Sequence, residues 1–186
     1  MNALLIAGTD TGVGKTVLMT ALTAYWQRYR AMSLGLLAPI QCGLDNPLEK
    51  TWQQFERLSQ QHEFVLVESL GGLGEPITPE TTVADLAWDW RLPTILVVPV
   101  QPGAIAQAVA NVALAHQCRV HLKGIVLNCV RSCHVQEREE WASIDLLQSL
   151  TQKPVLGCIP HLADLSDRTK LVQVASNLDL ERIIPI

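Results

Sequence analysis

The stretch Gly8-Thr9-Asp10-Thr11-Gly12-Val13-Gly14-Lys15-Thr16 lies between an apolar run at residues 4–7 and a helical pattern that begins at Thr16. Glycines allow successive backbone N–H groups to point at one anion without a Cβ clash. The positive end of the following helix favours the same anion. We therefore predict a phosphate-binding loop in which Lys15 contacts the terminal phosphates and the Thr16 hydroxyl is a ligand of Mg²⁺.

The loop departs at one place from the pattern G-x-x-x-x-G-K-[ST]. Thr9 occupies the first glycine position, and Gly8 comes one residue earlier. The alternative interpretation is a glycine-rich turn between a strand and a helix that carries an incidental lysine. The position of the loop directly after the first apolar run favours nucleotide binding.

A carboxylate closes another predicted strand. Glu68 ends the apolar run at residues 64–68 and is followed by Gly71 and Gly72. A carboxylate at the end of a strand beside a phosphate loop can bind Mg²⁺ directly or through water. We predict that Thr16 and Glu68 share the metal, and the alternative is an ordinary charged strand end.

Short apolar runs alternate with longer helical patterns along the chain. Near-continuous apolar strands indicate burial on both faces, which is typical of a parallel sheet between two layers of helices. The fold class is therefore α/β, a three-layer α/β/α arrangement with a mostly parallel central sheet, P-loop NTPase-like, in one domain over residues 1–186. Strands are predicted at residues 4–7, 34–37, 64–68, 94–98, 123–127 and 154–159, helices at 16–30, 51–61, 104–116 and 136–150, and a loop at 71–79.

Composition narrows the function classes. The chain has 186 residues, 48% of them hydrophobic, with a net charge of -4, so there is enough apolar surface for a folded core and no general attraction to nucleic acid or anionic lipid. The apolar stretch at residues 92–115 is interrupted by prolines and predicts no membrane span. Five cysteines without a scaffold-like spacing, and no basic leader segment, favour a reduced, cytoplasmic protein.

Two cysteines and a histidine stand close together after a predicted strand, at Cys129, Cys133 and His134. A structural zinc site needs about four ligands, and no second pair stands at a suitable spacing. We therefore predict an ordinary loop here, with a metal site as the less favoured alternative.

Taken in order, these motifs resemble those of the dethiobiotin synthetase family. The resemblance is carried by the phosphate loop, by Val65-Leu66-Val67-Glu68 with Gly71-Gly72, by residues 92–103, by residues 124–128 and by residues 154–160. The partitioning and septum-site ATPases carry a signature lysine at the position that Asp10 holds here. The resemblance covers most of the chain.

The resemblance implies a homodimeric ligase of biotin biosynthesis, which uses ATP, Mg²⁺ and CO2 to close a ureido ring on 7,8-diaminononanoate. It implies that Lys15 is catalytic, contacting both phosphate and carbamate, and that Asn128 contacts adenine. The residues that it implies for the nucleotide are Thr11, Gly12, Val13, Gly14, Lys15, Thr16, Val17, Asn128, Ile159, Pro160 and His161; those for the metal are Thr16 and Glu68; and those for the substrate are Cys42, Gly71 and Gly72.

The departures from the family pattern lie in the substrate half of the expected site. Ala38 stands where the family has a catalytic lysine, and Cys42 where it has a hydroxyl. The interval between Gly43 and Val65 is also short, and the family's metal-binding aspartate falls in the missing stretch. Two alternatives therefore stay open: a nucleotide-binding homologue that has lost synthetase activity and acts as a regulator or partner, and a partitioning-type ATPase.

Overall fold

The computed structural model describes residues 2–40 and 48–184, with the backbone alone at residues 38–40. Six strands form one sheet in the order β2-β3-β1-β6-β7-β8, and β4 pairs with β5 in a separate hairpin. The strands are β1 Ala3–Gly8, β2 Leu34–Ile40, β3 Phe64–Gly72, β4 Pro76–Thr78, β5 Thr81–Thr82, β6 Thr94–Pro99, β7 Leu122–Asn128 and β8 Val155–Ile159. The helices are α1 Lys15–Tyr29, α2 Leu48–Gln61, α3 Val83–Asp89, α4 Ala104–Gln117, α5 Val135–Ala142, α6 Ile144–Thr151, α7 Arg168–Ser176 and α8 Leu180–Ile183.

Every neighbouring pair of strands in the large sheet is parallel. Strand β1 lies at the centre, with Leu5 opposite Val67 on β3 and opposite Thr94 on β6. The chain fills the β3 side of β1 first and the β6 side afterwards, so the sheet order reverses at β1. In such sheets ligands bind beyond the carboxyl ends of the strands at this reversal.

The sheet is buried on both faces, as its apolar strands predict. Leu5 belongs to a hydrophobic cluster that includes residues of α3, α4 and α6. Its neighbour Ile6 points to the opposite face and belongs to a cluster that includes residues of α1 and α7. Alternate side chains of one strand thus enter two cores, because successive residues of a strand point to opposite faces. This arrangement confirms the predicted three-layer fold.

The sequence prediction is wrong in one helix. Residues 136–150 are not one helix, because Ser143 adopts φ -52° and ψ 122° and separates α5 from α6. The Ser143 hydroxyl donates a 2.7 Å hydrogen bond to Glu139, and its carbonyl accepts from the Leu147 N–H, so Ser143 starts α6. Serine favours this position over a helix interior because its side chain competes for nearby polar groups.

Two further differences concern short elements. Residues 71–79 are not only a loop, since β3 continues to Gly72 and β4 pairs antiparallel with β5. Helix α7, which the prediction omitted, buries Leu171, Val174 and Ala175 against the α1 layer. The 3.6-residue spacing of those three side chains is the signal that was available. Among the helices described, none is long and apolar enough to cross a membrane.

Candidate nucleotide-binding site

The predicted phosphate loop connects β1, which ends at Gly8, to α1, which begins at Lys15. Gly12 and Gly14 have φ values of +68° and +101°, in the region that favours glycine. Gly14 is the N-cap of α1 and offers no side chain to the first helical N–H groups, and the first turn holds no acidic residue. The helix N-terminus therefore keeps its positive end for an anionic ligand.

Packing explains why the first glycine of the loop is Gly8, one residue earlier than in the strict pattern. A Cβ on Gly8 would lie 2.8 Å from the Asp10 carbonyl oxygen and 3.2 Å from Lys15 Nζ. The loop folds back over the end of β1 at this point, so the close approach occurs at Gly8 and leaves Thr9 free to carry a side chain. This geometry accounts for the departure of the sequence from the strict pattern.

Lys15 is a buried cation, with 5% of the residue exposed. Its Nζ donates a 2.8 Å hydrogen bond to the Asp10 carbonyl oxygen. Burial lowers the pKa of Lys15, while the nearby carboxylates of Glu68, Asp10 and Glu75 oppose that shift. The ammonium thus lies inside the loop, where a bound phosphate would meet a positive charge with few competing waters.

The predicted metal pair comes together in the structure. Thr16 Oγ1 donates a 2.7 Å hydrogen bond to Glu68 Oε1, although the two residues are 52 positions apart in the sequence. Mg²⁺ prefers hard oxygen donors and is commonly held by one or two protein groups together with waters and phosphate oxygens. A hydroxyl and a buried carboxylate beside a phosphate loop fit that requirement. In the described part of the chain no three His, Cys, Asp or Glu side chains converge as a self-sufficient metal site.

Asn128, at the end of β7, lies directly behind the loop. Its Nδ2 donates a 2.9 Å hydrogen bond to the Val13 carbonyl oxygen, and 3% of the residue is exposed. A Cβ on Gly14 would overlap the Asn128 amide. Asn128 therefore supports the loop, and contact with adenine stays a prediction for the acceptor oxygen of the same side chain.

The other predicted nucleotide residues follow the neighbouring strand. Ile159 on β8 is paired with Asn128 on β7 and is buried. Pro160 and His161 come next, are exposed, and line a pocket of 320 Å³. In the loop itself, the Thr11 N–H donates a 2.6 Å hydrogen bond to Asp10 Oδ1. The structure thus places these residues on the same edge of the sheet as the loop.

The residues predicted for the substrate lie beside the loop where they are described. Gly72 is buried, and a Cβ there would lie 2.9 Å from the Thr9 carbonyl oxygen. A Cβ on Gly71 would lie 2.5 Å from Glu75 Oε2. Glycine at position 72 thus allows β3 to pass close to the backbone of the loop. Cys42 lies outside the described residues.

Sequence analysis missed a polar group that connects the loop to the rest of the site. The Asn111 side chain on α4 accepts a 3.2 Å hydrogen bond from the Leu73 N–H, and its Nδ2 lies 3.5 Å from the Thr9 carbonyl oxygen. Gln107, one turn earlier, lies 3.5 Å from the Thr9 hydroxyl. The available signal was a pair of amides four residues apart on an otherwise apolar helix. Thr9, Asp10, Gly72, Gly74, Glu75, Ala110, Asn111 and Leu114 line a pocket of 360 Å³.

The alternative of a zinc site at Cys129, Cys133 and His134 finds no support among the described residues, which hold no such cluster. Cys133 instead donates a 3.3 Å hydrogen bond to Cys129. The His134 N–H donates a 2.8 Å hydrogen bond to Glu137 at the start of α5. The segment is the predicted loop after a strand, followed by a helix.

Comparison with solved structures supports the fold. The MinC:MinD cell division protein complex of Aquifex aeolicus matches with a TM-score of 0.64 and 15% identity, over 98% of this chain and 94% of that chain. A ParA family ATPase of Chlorobium tepidum matches with a TM-score of 0.59 and 12% identity, over 98% of this chain and 96% of that chain. At such low identity the likeness shows the P-loop NTPase fold alone.

Comparison with curated proteins is much closer. The chain is 47% identical to the ATP-dependent dethiobiotin synthetase BioD of Gloeothece citriformis, over all of both chains. It is 45% identical to the BioD protein of Crocosphaera subtropica, over 98% of this chain and 100% of that one. It is 41% identical to the BioD protein of Synechocystis, over 98% and 94%.

The same comparisons locate the short interval. The alignment with the Gloeothece protein runs over 226 positions, which exceeds the 186 residues of this chain, so that relative has residues without a counterpart here. A family model described as an AAA domain matches in two overlapping pieces, at residues 2–52 and 45–169, which places a break in the match near residues 45–52. With the fold, the phosphate loop and these full-length matches in agreement, the chain belongs to the ATP-dependent dethiobiotin synthetase family.

Proposed function

We propose that this protein catalyses the ATP- and Mg²⁺-dependent ring-closing carboxylation of 7,8-diaminononanoate with CO2, giving dethiobiotin in biotin biosynthesis. The observation that carries the proposal is the convergence of Lys15 with the Thr16–Glu68 pair at the reversal point of the sheet. The full-length similarity to curated dethiobiotin synthetases supports the same reaction.

The chain's own groups suit the triphosphate of ATP. The backbone of Gly12 faces open space, since a Cβ built there meets nothing within 4 Å, so the loop has room for phosphate oxygens. The α1 N-terminus and Lys15 then supply positive charge around the terminal phosphates. Asn128, Ile159, Pro160 and His161 lie on the side of the loop where the adenine would bind.

The reaction makes one bond at phosphorus and two C–N bonds at the carbon that comes from CO2. One amine of the substrate adds to CO2, loses a proton and forms a carbamate. A carbamate oxygen takes the γ-phosphoryl group as the bond to ADP breaks and ADP leaves. The second amine then attacks the carbonyl carbon, loses a proton and releases phosphate. We assign to Lys15 the role of holding the phosphoryl oxygens and the carbamate oxygen in line. Thr16 and Glu68 would hold Mg²⁺, which when bound neutralises charge on the phosphate oxygens.

We assign Gly71, Gly72 and Cys42 to the substrate side of the cleft. Gly72 packs against the Thr9 carbonyl of the phosphate loop and Gly71 against Glu75, so both lie beside the loop. We further propose that residues 1–186 act as one domain, that the protein is a cytoplasmic homodimer, and that it has neither a nucleic-acid nor a membrane partner. Gel filtration with light scattering tests the dimer.

The direct test supplies purified protein with ATP, Mg²⁺, diaminononanoate and ¹³C-bicarbonate. We expect dethiobiotin carrying the label in its ureido carbonyl, detected by mass spectrometry. Lys15→Met should lower the rate by about 10²–10³-fold, the usual effect of removing a group aimed at developing charge. Lys123→Met is the control, because Lys123 is half-buried and also donates to a carbonyl, 3.2 Å away on Ile183, but lies elsewhere.

A second candidate function follows from Ala38 and the short interval after Gly43. These two features favour a homologue that binds ATP but has lost the synthetase step. In that case ATP binding would be measurable and would disappear in Lys15→Met, while no labelled dethiobiotin would form at high enzyme concentration. Diamine-dependent release of phosphate that Lys15→Met abolishes would exclude this candidate.

A further inference from the structure

Three cysteine sulfurs meet beside the predicted nucleobase position. Cys129 Sγ lies 3.3 Å from Cys133 Sγ and 3.9 Å from Cys158 Sγ. Cys129 directly follows β7, whereas Cys158 lies on the neighbouring strand β8. All three line a 320 Å³ pocket with Arg138 and His161. A small molecule that enters this pocket therefore meets three thiols at once.

We propose that this pocket is a reversible thiol–disulfide site, in which a small hydroperoxide oxidises Cys158 and Cys129 then closes a disulfide with it. The proposal stands on the placement of the two sulfurs on adjacent strands, facing one cavity. Nothing in the proposed synthetase reaction uses either thiol.

The surroundings distinguish the two sulfurs. A hydrogen bond from the Cys129 thiol, together with the charge and a hydrogen bond of Arg138, lowers the pKa of Cys158 to about 7. The same contact with Cys158, and burial, raise the pKa of Cys129, so Cys129 keeps its proton. The thiolate is the nucleophilic form of cysteine. Cys158 is therefore the sulfur that attacks the oxidant, and Cys129 is the one that resolves the product.

Cys133 is the closer neighbour of Cys129, but it lacks the reactive environment. Burial raises the pKa of Cys133, and its thiol donates to Cys129. It lies in the segment between β7 and α5, and burial raises its pKa more than the charge of Arg138 lowers it. We assign Cys133 no part in the first oxidation step.

The step balances with hydrogen peroxide as the oxidant. The Cys158 thiolate attacks one peroxide oxygen, the O–O bond breaks, and the departing hydroxide takes a proton to leave as water. Cys129 sulfur then attacks Cys158 sulfur, the S–O bond breaks, and a second water leaves with the Cys129 proton. Two thiols lose two electrons to the peroxide, and a small dithiol reverses the change by exchange.

A consequence for nucleotide binding rests on the proposed function. Cys129 follows Asn128 and Cys158 precedes Ile159, and the Cys129 N–H donates a 2.9 Å hydrogen bond to the Ile159 carbonyl oxygen. A new covalent bond between these two strand ends would shift the segments assigned to the adenine. Oxidation should therefore weaken ATP binding by about tenfold or more, comparable with losing contacts to one base.

The first experiment maps disulfides in the intact protein after stoichiometric hydrogen peroxide, by non-reducing peptide mass spectrometry. We expect a Cys129–Cys158 cross-link that dithiothreitol removes. Cys158→Ser should abolish it, and Cys133→Ser and Cys118→Ser should retain it. Because Cys129 is buried, the Cys129→Ser variant is examined by trapping the sulfenic acid of Cys158 with dimedone. The amount of trapped sulfenic acid should increase, since the Cys129 thiol is no longer there to react with it. A Cys129–Cys133 cross-link, or no cross-link in the wild-type protein, would overturn the proposal.

The second experiment measures ATP binding by calorimetry to the reduced, the oxidised and the re-reduced protein. We expect weaker binding after oxidation and full recovery after dithiothreitol. Equal affinity in reduced and oxidised protein would overturn the consequence for ATP. If the reduced protein binds no ATP, the proposed function fails, and the cross-link map still decides the thiol site independently.

Discussion

The Thr16 hydroxyl at the start of α1 donates a 2.7 Å hydrogen bond to the Glu68 carboxylate on β3. This contact joins the phosphate loop to the neighbouring strand, since β1 and β3 are parallel partners. We propose that a bound nucleotide brings its terminal phosphates to these two oxygens. The hydrogen bond therefore brings together the two oxygen donors that we propose as ligands of Mg²⁺.

Glu68→Gln should raise the Mg²⁺ concentration needed for half-maximal activity by about 10–100-fold, the usual size of losing a ligand-supporting group. The amide can still accept from Thr16, so the shape of the site persists while the charge is lost. A magnesium titration of ATP turnover measures the change. Glu63→Gln is the control, because Glu63 bonds the Ser33 N–H at 2.8 Å near the other end of β3. An unchanged magnesium requirement would contradict the assigned metal role.

Gly14→Ala should destabilise the protein more than Gly12→Ala. Both glycines have positive φ, which costs an L-residue roughly 1–2 kcal/mol. At Gly14 the new Cβ would also overlap the Asn128 amide, whereas at Gly12 it meets nothing within 4 Å. Urea unfolding of both variants measures the difference, and Asn128→Ala combined with Gly14→Ala should recover part of the loss. Equal destabilisation at the two positions would show that the overlap is relieved without cost.

Ala38→Lys should increase dethiobiotin formation, by up to about 10²-fold if a cation is missing from the transition state. Position 38 lies on β2 and is where the family resemblance places a catalytic lysine. Labelled product per unit time measures the effect. Leu36→Lys is the matched control on the same strand, since Leu36 is 45% exposed and tolerates a charge. If both variants behave alike, the charge at position 38 has no specific role.

Alkylation of Cys158 by iodoacetamide should depend on pH with a midpoint near its pKa of about 7. The thiolate reacts, so labelling increases as the pH rises through that value. Arg138→Met should move the midpoint to higher pH, because the guanidinium lowers the pKa of Cys158. Peptide mass spectrometry follows each site, and Cys118, whose pKa is raised by burial, is the internal control.

The lowered pKa of Cys158 makes the stability of the folded protein depend on pH in a defined direction. The folded pKa of Cys158 lies below its ordinary value of 9.0, so the stabilisation is fully present above pH 9.0 and is lost as the pH falls through about 7. Cys158→Ser should remove this pH dependence from the urea unfolding curve. An unchanged pH dependence in that variant would contradict the assignment.

Short sequence patterns predicted much of the fold, because strands that are buried on both faces appear in the sequence as continuous apolar runs. The runs around Leu66, Val97 and Val126 each became a strand of the large sheet. The break between α5 and α6 at Ser143 was not predicted because neither a proline nor a glycine marks it. Helix α7 was not predicted because its pattern of apolar residues extends over only a few positions and is flanked by polar residues.

In the candidate site, too, residues with a local sequence signal were predicted, and residues whose contacts are distant in sequence were not. Lys15 and Thr16 were predicted from adjacent residues of one loop, whose chemistry depends on local backbone geometry. Asn111 was not, because its contact with Thr9 joins α4 to the loop after β1, and nothing local to Asn111 indicates that partner. Sequence spacing suggested Cys129, Cys133 and His134 as alternative metal ligands and gave no sign that Cys158 lies beside Cys129.

By itself, the sequence determined the parallel α/β architecture, the phosphate loop and the family to which the chain belongs. Tertiary structure alone decided that Asn128 supports the loop through Val13, and that Cys158 lies against Cys129. The physical reason is that periodicity and glycine spacing act within a few residues of the backbone. Contacts between strand ends depend on sheet order, which is set only when all the strands pack together.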